Sequence, residues 1–154
     1  MDLNHKSEYS LKKEAISNLA VLNEAFDYLR PSSFSRGLRI EIGGLVLLLI
    51  SGTASIDESG NSVHIGDFPA QCRRVFHNIS GLLASEDASW RDVIRTTCYF
   101  RDIDRDYAAF NEERTAFYAA QNLDPLPAST GIQAKLCRPE LLIEIEAVAL
   151  IKAK

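Results

Sequence analysis

Leu126-Pro127-Ala128-Ser129-Thr130-Gly131-Ile132-Gln133-Ala134-Lys135-Leu136, the turn Cys137-Arg138-Pro139-Glu140, and Leu141-Leu142-Ile143-Glu144-Ile145-Glu146-Ala147-Val148-Ala149-Leu150-Ile151 decide the reading of this chain. Two strand-like runs flank a Pro-containing turn, and the second carries Glu144 and Glu146 two residues apart. That period puts both carboxylates on one face of a strand. Two readings are open on spacing alone: the solvated face of an antiparallel sheet, or a site.

Working outward, Val93 to Arg101 is rich in β-branched and aromatic residues and reads as a strand. Leu38-Arg39-Ile40-Glu41-Ile42 alternates apolar and charged residues, as a strand with one wet face does. Gly43-Gly44 supplies a tight turn into the continuous apolar run Leu45 to Ile50, which reads as a strand buried on both faces. That run ends at Ser51-Gly52-Thr53, where a glycine permits a bulge or the close approach of another group. Asp67 and Pro69 open a helix whose apolar stripe is Cys72, Val75, Phe76, Ile79, Leu82 and Leu83. A second helix follows Asp102, with Tyr107, Phe110, Arg114, Phe117 and Tyr118 near one face. Ala15, Leu19, Leu22, Phe26 and Leu29 recur at helical spacing, predicting an amphipathic helix over residues 10–30 that stops before Pro31. The division expected is a helical extension, 1–33, and an α+β domain, 34–154, with helices layered on one face of a mixed sheet.

Composition narrows the function classes. Seventeen basic against 21 acidic residues leave a net charge of −4, with no basic stripe to hold nucleic acid. The three cysteines, Cys72, Cys98 and Cys137, form no C-x-x-C pair and point to a reduced, cytoplasmic setting. The longest apolar run falls far short of the ~20 residues that span a bilayer. His64 stands alone, without the spacing of a metal site.

From Leu38 to Ile151 the chain resembles the Rid family, also called YjgF-type proteins or endoribonuclease L-PSP. The resemblance rests on Ser51-Gly52-Thr53, Gly66-Asp67-Phe68-Pro69-Ala70-Gln71, Asp92-Val93-Ile94-Arg95-Thr96-Thr97, Phe110-Asn111-Glu112 and Ile143-Glu144-Ile145-Glu146-Ala147-Val148-Ala149. It implies a chorismate-mutase-like α+β fold, a homotrimer with ligand clefts between subunits, and hydrolysis of reactive imines and enamines without metal or cofactor. In the deaminases of that family an arginine after a Pro-Ala step grips the substrate carboxylate, and a glutamate on the last strand positions water. Carried over, the glutamate is Glu144 and the arginine position is Ser129, with Gly131 where many relatives have cysteine. A serine hydroxyl does not replace the charge of a guanidinium fork. Ser129, Thr130 and Gly131 are then expected at the substrate's polar end, with Thr53 and Asn111 as further binding positions. Arg138 and Arg36 are candidates to compensate for the missing cation. The competing readings are a Rid-like hydrolase that acts on a reactive imine, enamine or related acid, and a non-catalytic metabolite-binding trimer. A ribonuclease has no support in the charge pattern.

Overall fold

The computed structural model describes residues 11–154. Its frame is one six-stranded mixed sheet, ordered β1-β2-β3-β6-β4-β5. The strands are β1 (Lys13–Ile16), β2 (Gly37–Ile42), β3 (Leu45–Ala54), β4 (Val93–Phe100), β5 (Ala128–Gln133) and β6 (Ile143–Lys152), and the helices are α1 (Phe68–Ala84) and α2 (Ile103–Ala120). β6 is central, antiparallel to both β3 and β4, while β5 runs parallel to β4 after the α2 crossover. Two helices on a mixed sheet match the expected α+β class.

Local chemistry explains most of these elements. Gly43 and Gly44 both have positive φ, as the tight β2–β3 turn requires. The Asp67 carboxylate accepts from the Ala70 N–H at 2.9 Å, and Pro69 sits in the first turn of α1, where no N–H is missed. The α1 stripe from Cys72 to Leu83 is buried against the sheet. Trp90 closes the end of this core, its ring edge-on to Phe76 and Phe117 and its Nε1 donating to Ser80 Oγ at 2.8 Å.

The two faces of the sheet differ. Val46, Leu48, Ile50, Cys98, Phe100, Ile143, Ile145 and Ala147 form the buried row beneath the helices. The opposite row, which no described helix or strand covers, includes Leu38, Ile40, Leu47, Leu49 and Val148, aligned by the pairs Ile40↔Leu47, Leu38↔Leu49 and Leu49↔Val148. The wet face expected for β2 is therefore reversed. Arg39 and Glu41 lie on the helix side, where Arg39 pairs with Glu41 at 2.9 Å and with Glu86, just past α1, at 3.4 Å. The apolar row faces outward. A bulge between Val93 and Arg95 corrects the expected alternation of β4 in the same way, turning Val93 inward with Thr96 and Cys98.

The helix expected over residues 10–30 is replaced, within the described residues, by β1, a loop and the short 3-10 turn Ala25–Asp27. Of the expected stripe only Leu22 is buried; Leu19, Phe26 and Leu29 are exposed, and Ile16, Val21 and Ala25 enter the core instead. Two tertiary contacts outweigh the local period. β1 pairs with the otherwise free edge of β2, and the Asn18 side chain donates to the Gly81 carbonyl at 2.8 Å while accepting from the Ala20 N–H. The segment assigned to a separate helical extension thus contributes a strand to this sheet.

Candidate functional site

β6 projects Glu144 and Glu146 onto the uncovered face, both half-buried, opposite Tyr99 and Thr97 of β4. Across β3 the register shifts between Ile50 and Thr53, so Ser51-Gly52 bulge out opposite Glu146. The bulge aims Gly52 at Glu144. A Cβ added at position 52 would overlap the Glu144 carboxylate. Glycine at this strand end thus makes room for the carboxylate itself.

Burial pushes the Glu144 carboxyl above the usual carboxylate range, and the neighbouring Glu146 adds to the shift. Burial also raises the phenol of Tyr99, with Glu146 and Glu144 as further causes. Glu144 lines a cleft of about 790 Å³ whose wall also includes Gly52, Ala54, Tyr28, Arg36, Arg138 and a second acid, Glu140. Arg36 and Arg138 thus share a cleft with Glu144, not with Ser129, and both are engaged by the protein. Arg36, 4% exposed, donates from Nε to the Asn23 carbonyl at 2.8 Å and bonds the Tyr28 hydroxyl. Arg138 donates to the Gly60 carbonyl at 2.9 Å and to Ser62 Oγ at 3.2 Å. Each guanidinium carbon lies 5.0 Å from the Tyr28 ring centroid. These arginines hold the 23–36 segment and the 138–140 turn over the cleft.

Thr53 is not brought to this cleft. The bulge turns it into the core beside Ile145, where its hydroxyl donates to the Ser51 carbonyl at 2.8 Å.

Ser129, Thr130 and Gly131 lie elsewhere, on the exposed edge strand β5. Ser129 pairs with Thr96 and faces α2, the opposite side of the sheet from Glu144. Two strand spacings across and three residues along separate the two positions by roughly 14 Å within one chain. Ser129 Oγ accepts from Thr96 Oγ1 at 3.1 Å and from Arg114 Nη1 at 3.2 Å. Arg114 also donates to Asn111 Oδ1 at 2.6 Å and lies 4.9 Å from the Phe110 ring centroid. On the other side of β5, Arg95 Nη2 donates to Thr130 Oγ1 at 2.9 Å. A methyl at position 131 would meet Phe100 at 3.3 Å.

The structure therefore brings Asn111, Ser129, Thr130 and Gly131 together at one edge and Glu144, Arg36 and Arg138 at another. Arg114 and Arg95 were not among the residues singled out for the site. The helical face shared by Phe110 and Arg114 was visible in the sequence, whereas the contact with Ser129 depends on β5 docking beside α2. Among the described residues no group of three His, Cys, Asp or Glu side chains is arranged to hold a metal ion. No helix there is long and apolar enough to cross a membrane.

Comparison with known proteins agrees with this geometry. Residues 30–151 match the family model described as endoribonuclease L-PSP. The chain is 33% identical over 103 residues, 67% of its length and 78% of the relative's, to a protein of Acinetobacter baylyi named 3-aminoacrylate deaminase RutC. A RutC family protein of Pyrococcus abyssi is 29% identical over 71% of this chain and 81% of its own. Among solved structures, the Escherichia coli YjgF gene product superposes with a TM-score of 0.72 at 22% identity, covering 90% of this chain and 99% of that one. E. coli TdcF, solved with bound serine, gives 0.74 at 19% identity, with the same coverage of both chains.

Proposed function

This chain belongs to the endoribonuclease L-PSP family of Rid and YjgF-type proteins, and on that premise we propose that it is a homotrimeric, cofactor-independent hydrolase of a reactive imine, enamine or related acid. Glu144 is its acid–base residue. The observation that carries this reading is the Glu144 carboxyl, half-buried in the cleft against Gly52 and raised in pKa by burial. A carboxyl so raised is available in both protonation states nearer neutrality than an exposed one. Its neutral form gives a proton to an enamine carbon, producing an iminium. Its ionised form takes a proton from the water that adds to the C=N carbon. The carbinolamine then loses ammonia, so one water is consumed and C=N becomes C=O.

The trimer is supported by the uncovered apolar row of the sheet, which needs a second copy to bury it. It is also supported by the separation of Glu144 from Ser129, since a cleft that uses both takes them from different subunits. The ligand is a small molecule, and the setting proposed is cytoplasmic. The test is ammonia release from imines and enamines generated in situ. Glu144→Gln is expected to lower turnover by at least ~100-fold, and unchanged turnover overturns the role of Glu144.

One observation favours a second reading, a non-catalytic metabolite-binding trimer: Ser129 stands where the deaminases carry arginine, and Arg36 and Arg138 are engaged by backbone carbonyls. That reading expects ligand-dependent rises in melting temperature without product.

A further inference from the structure

We propose that Arg114 supplies the carboxylate-gripping cation of this site, delivered from α2 to the strand position where Ser129 leaves none. The inference deepens the function proposed above and rests on its assignment of a small acidic ligand.

Four features of the β5 edge support it. The Arg114 guanidinium reaches Ser129 Oγ directly, at 3.2 Å, and so places its charge beside the position the strand leaves uncharged. It is held in place by Asn111 Oδ1 and by stacking near Phe110, which is itself 1% exposed. A guanidinium fixed in this way loses little freedom on binding a ligand. Neither Arg114 nor Arg95 pairs with a carboxylate among the described residues, although eight ion pairs occupy other charged groups. Two of the five N–H groups of Arg114 are used by Ser129 and Asn111, so donors remain for an incoming anion. Arg95, bonded to Thr130 on the other side of β5, gives the edge a second cation.

The contrast with the Glu144 cleft identifies the ligand chemistry. The Glu144 cleft carries its own carboxylates, Glu144 and Glu140, and its buried Arg36 is bonded to the Asn23 carbonyl and the Tyr28 hydroxyl, whereas Arg114 and Arg95 at the β5 edge are bonded to neutral side chains and pair with no described carboxylate. The group that fits is a single carboxylate on a short organic acid, gripped by Arg114 and the Ser129 hydroxyl.

The experiment compares the binding of 3-hydroxypropanoate and its uncharged amide by ligand-observed NMR titration. The wild-type protein is expected to prefer the acid by at least tenfold. Arg114→Met and Arg114→Gln both remove the charge, and Gln retains polar contacts with Asn111 and Ser129. Either is expected to bring acid and amide within about twofold of each other. Adding Ser129→Arg to the Arg114→Gln protein is expected to restore the preference, which a merely structural Arg114 would not allow. Glu144→Gln is expected to keep the preference, so a failure of the hydrolase reading leaves this result intact. The proposal is overturned if the wild type does not prefer the acid, if folded Arg114 variants keep the full preference, or if Ser129→Arg fails to restore it.

Discussion

The cleft around Glu144 and the edge around Ser129 both carry arginines, yet Arg36 and Arg138 in the first and Arg114 and Arg95 in the second serve opposite ends. Arg36 and Arg138 are tied to carbonyl oxygens at 2.8 and 2.9 Å and flank Tyr28, so their charge is used to hold chain segments in place. Arg114 and Arg95 touch hydroxyls of β5, and Arg114 also the amide of Asn111 on its own helix. A guanidinium nitrogen already bonded to a backbone carbonyl is a poor ligand clamp, because a ligand would have to displace that bond. Proximity to the catalytic candidate therefore does not by itself identify a binding cation; what the guanidinium already holds in place matters as well.

The largest test of this comparison asks whether the two half-sites meet. Leu49→Glu places a charge on the uncovered apolar row and is expected to convert the proposed trimer to monomers, read by light scattering, with loss of the proposed turnover. A variant that stays assembled removes the sheet face as the interface. Next, Arg36→Met is expected to destabilise by about 1–3 kcal/mol, since it leaves the part-buried Asn23 carbonyl and Tyr28 hydroxyl without this partner. Arg114→Met is expected to cost under ~1 kcal/mol. Equal losses in denaturant unfolding would erase the distinction between structural and ligand-directed arginines. Gly52→Ala forces the Glu144 carboxylate aside, with an expected cost of about 1–3 kcal/mol and reduced turnover. The stability loss should largely vanish in a Glu144→Ala background, as a double-mutant cycle would measure.

The smallest effect is on pH dependence. The pKa of Glu144 is raised in the folded protein, so ionisation disfavours the native state. Its relative contribution is present below the unfolded carboxylate range and is lost as pH rises through the folded value. Glu144→Gln is expected to raise the melting temperature at pH 7 and to lose most of that gain near pH 4. A gain that grows on acidification would contradict a desolvated carboxyl.

How legible these regions were in the sequence depended on whether a signal was local. The α1 stripe, its Asp67 cap and the Gly43-Gly44 turn each lie within a few residues of what they determine, and the structure reproduces them. The period through Leu19, Phe26 and Leu29 was equally local but misleading. The unpaired edge of β2 and the carbonyl of Gly81, both remote in sequence, drew residues 13–18 out of a helix. Thr53 was misassigned to the cleft because one bulge residue exchanges the faces of a strand. Glu144 was identified by alternation and family resemblance, whereas its contact with Gly52 required the register of β3 on β6. Arg114 was placed on the correct helical face, but its partner Ser129 comes from the strand beyond, and no spacing rule links them.

The central position of β6 also dictates an order of events during synthesis. β3 and β4 have no hydrogen bonds to each other except through β6, the last of the six strands to be made. Until it emerges, the hairpin of β2 and β3 and the β4-α2-β5 unit share no strand pairing, and each keeps an open strand edge. Such long-range closure slows folding and prolongs exposure of those edges. The strand that carries Glu144 is thus also the one that turns two aggregation-prone fragments into a single sheet, so loss of its pairing would be felt as failed maturation before it was felt as lost chemistry.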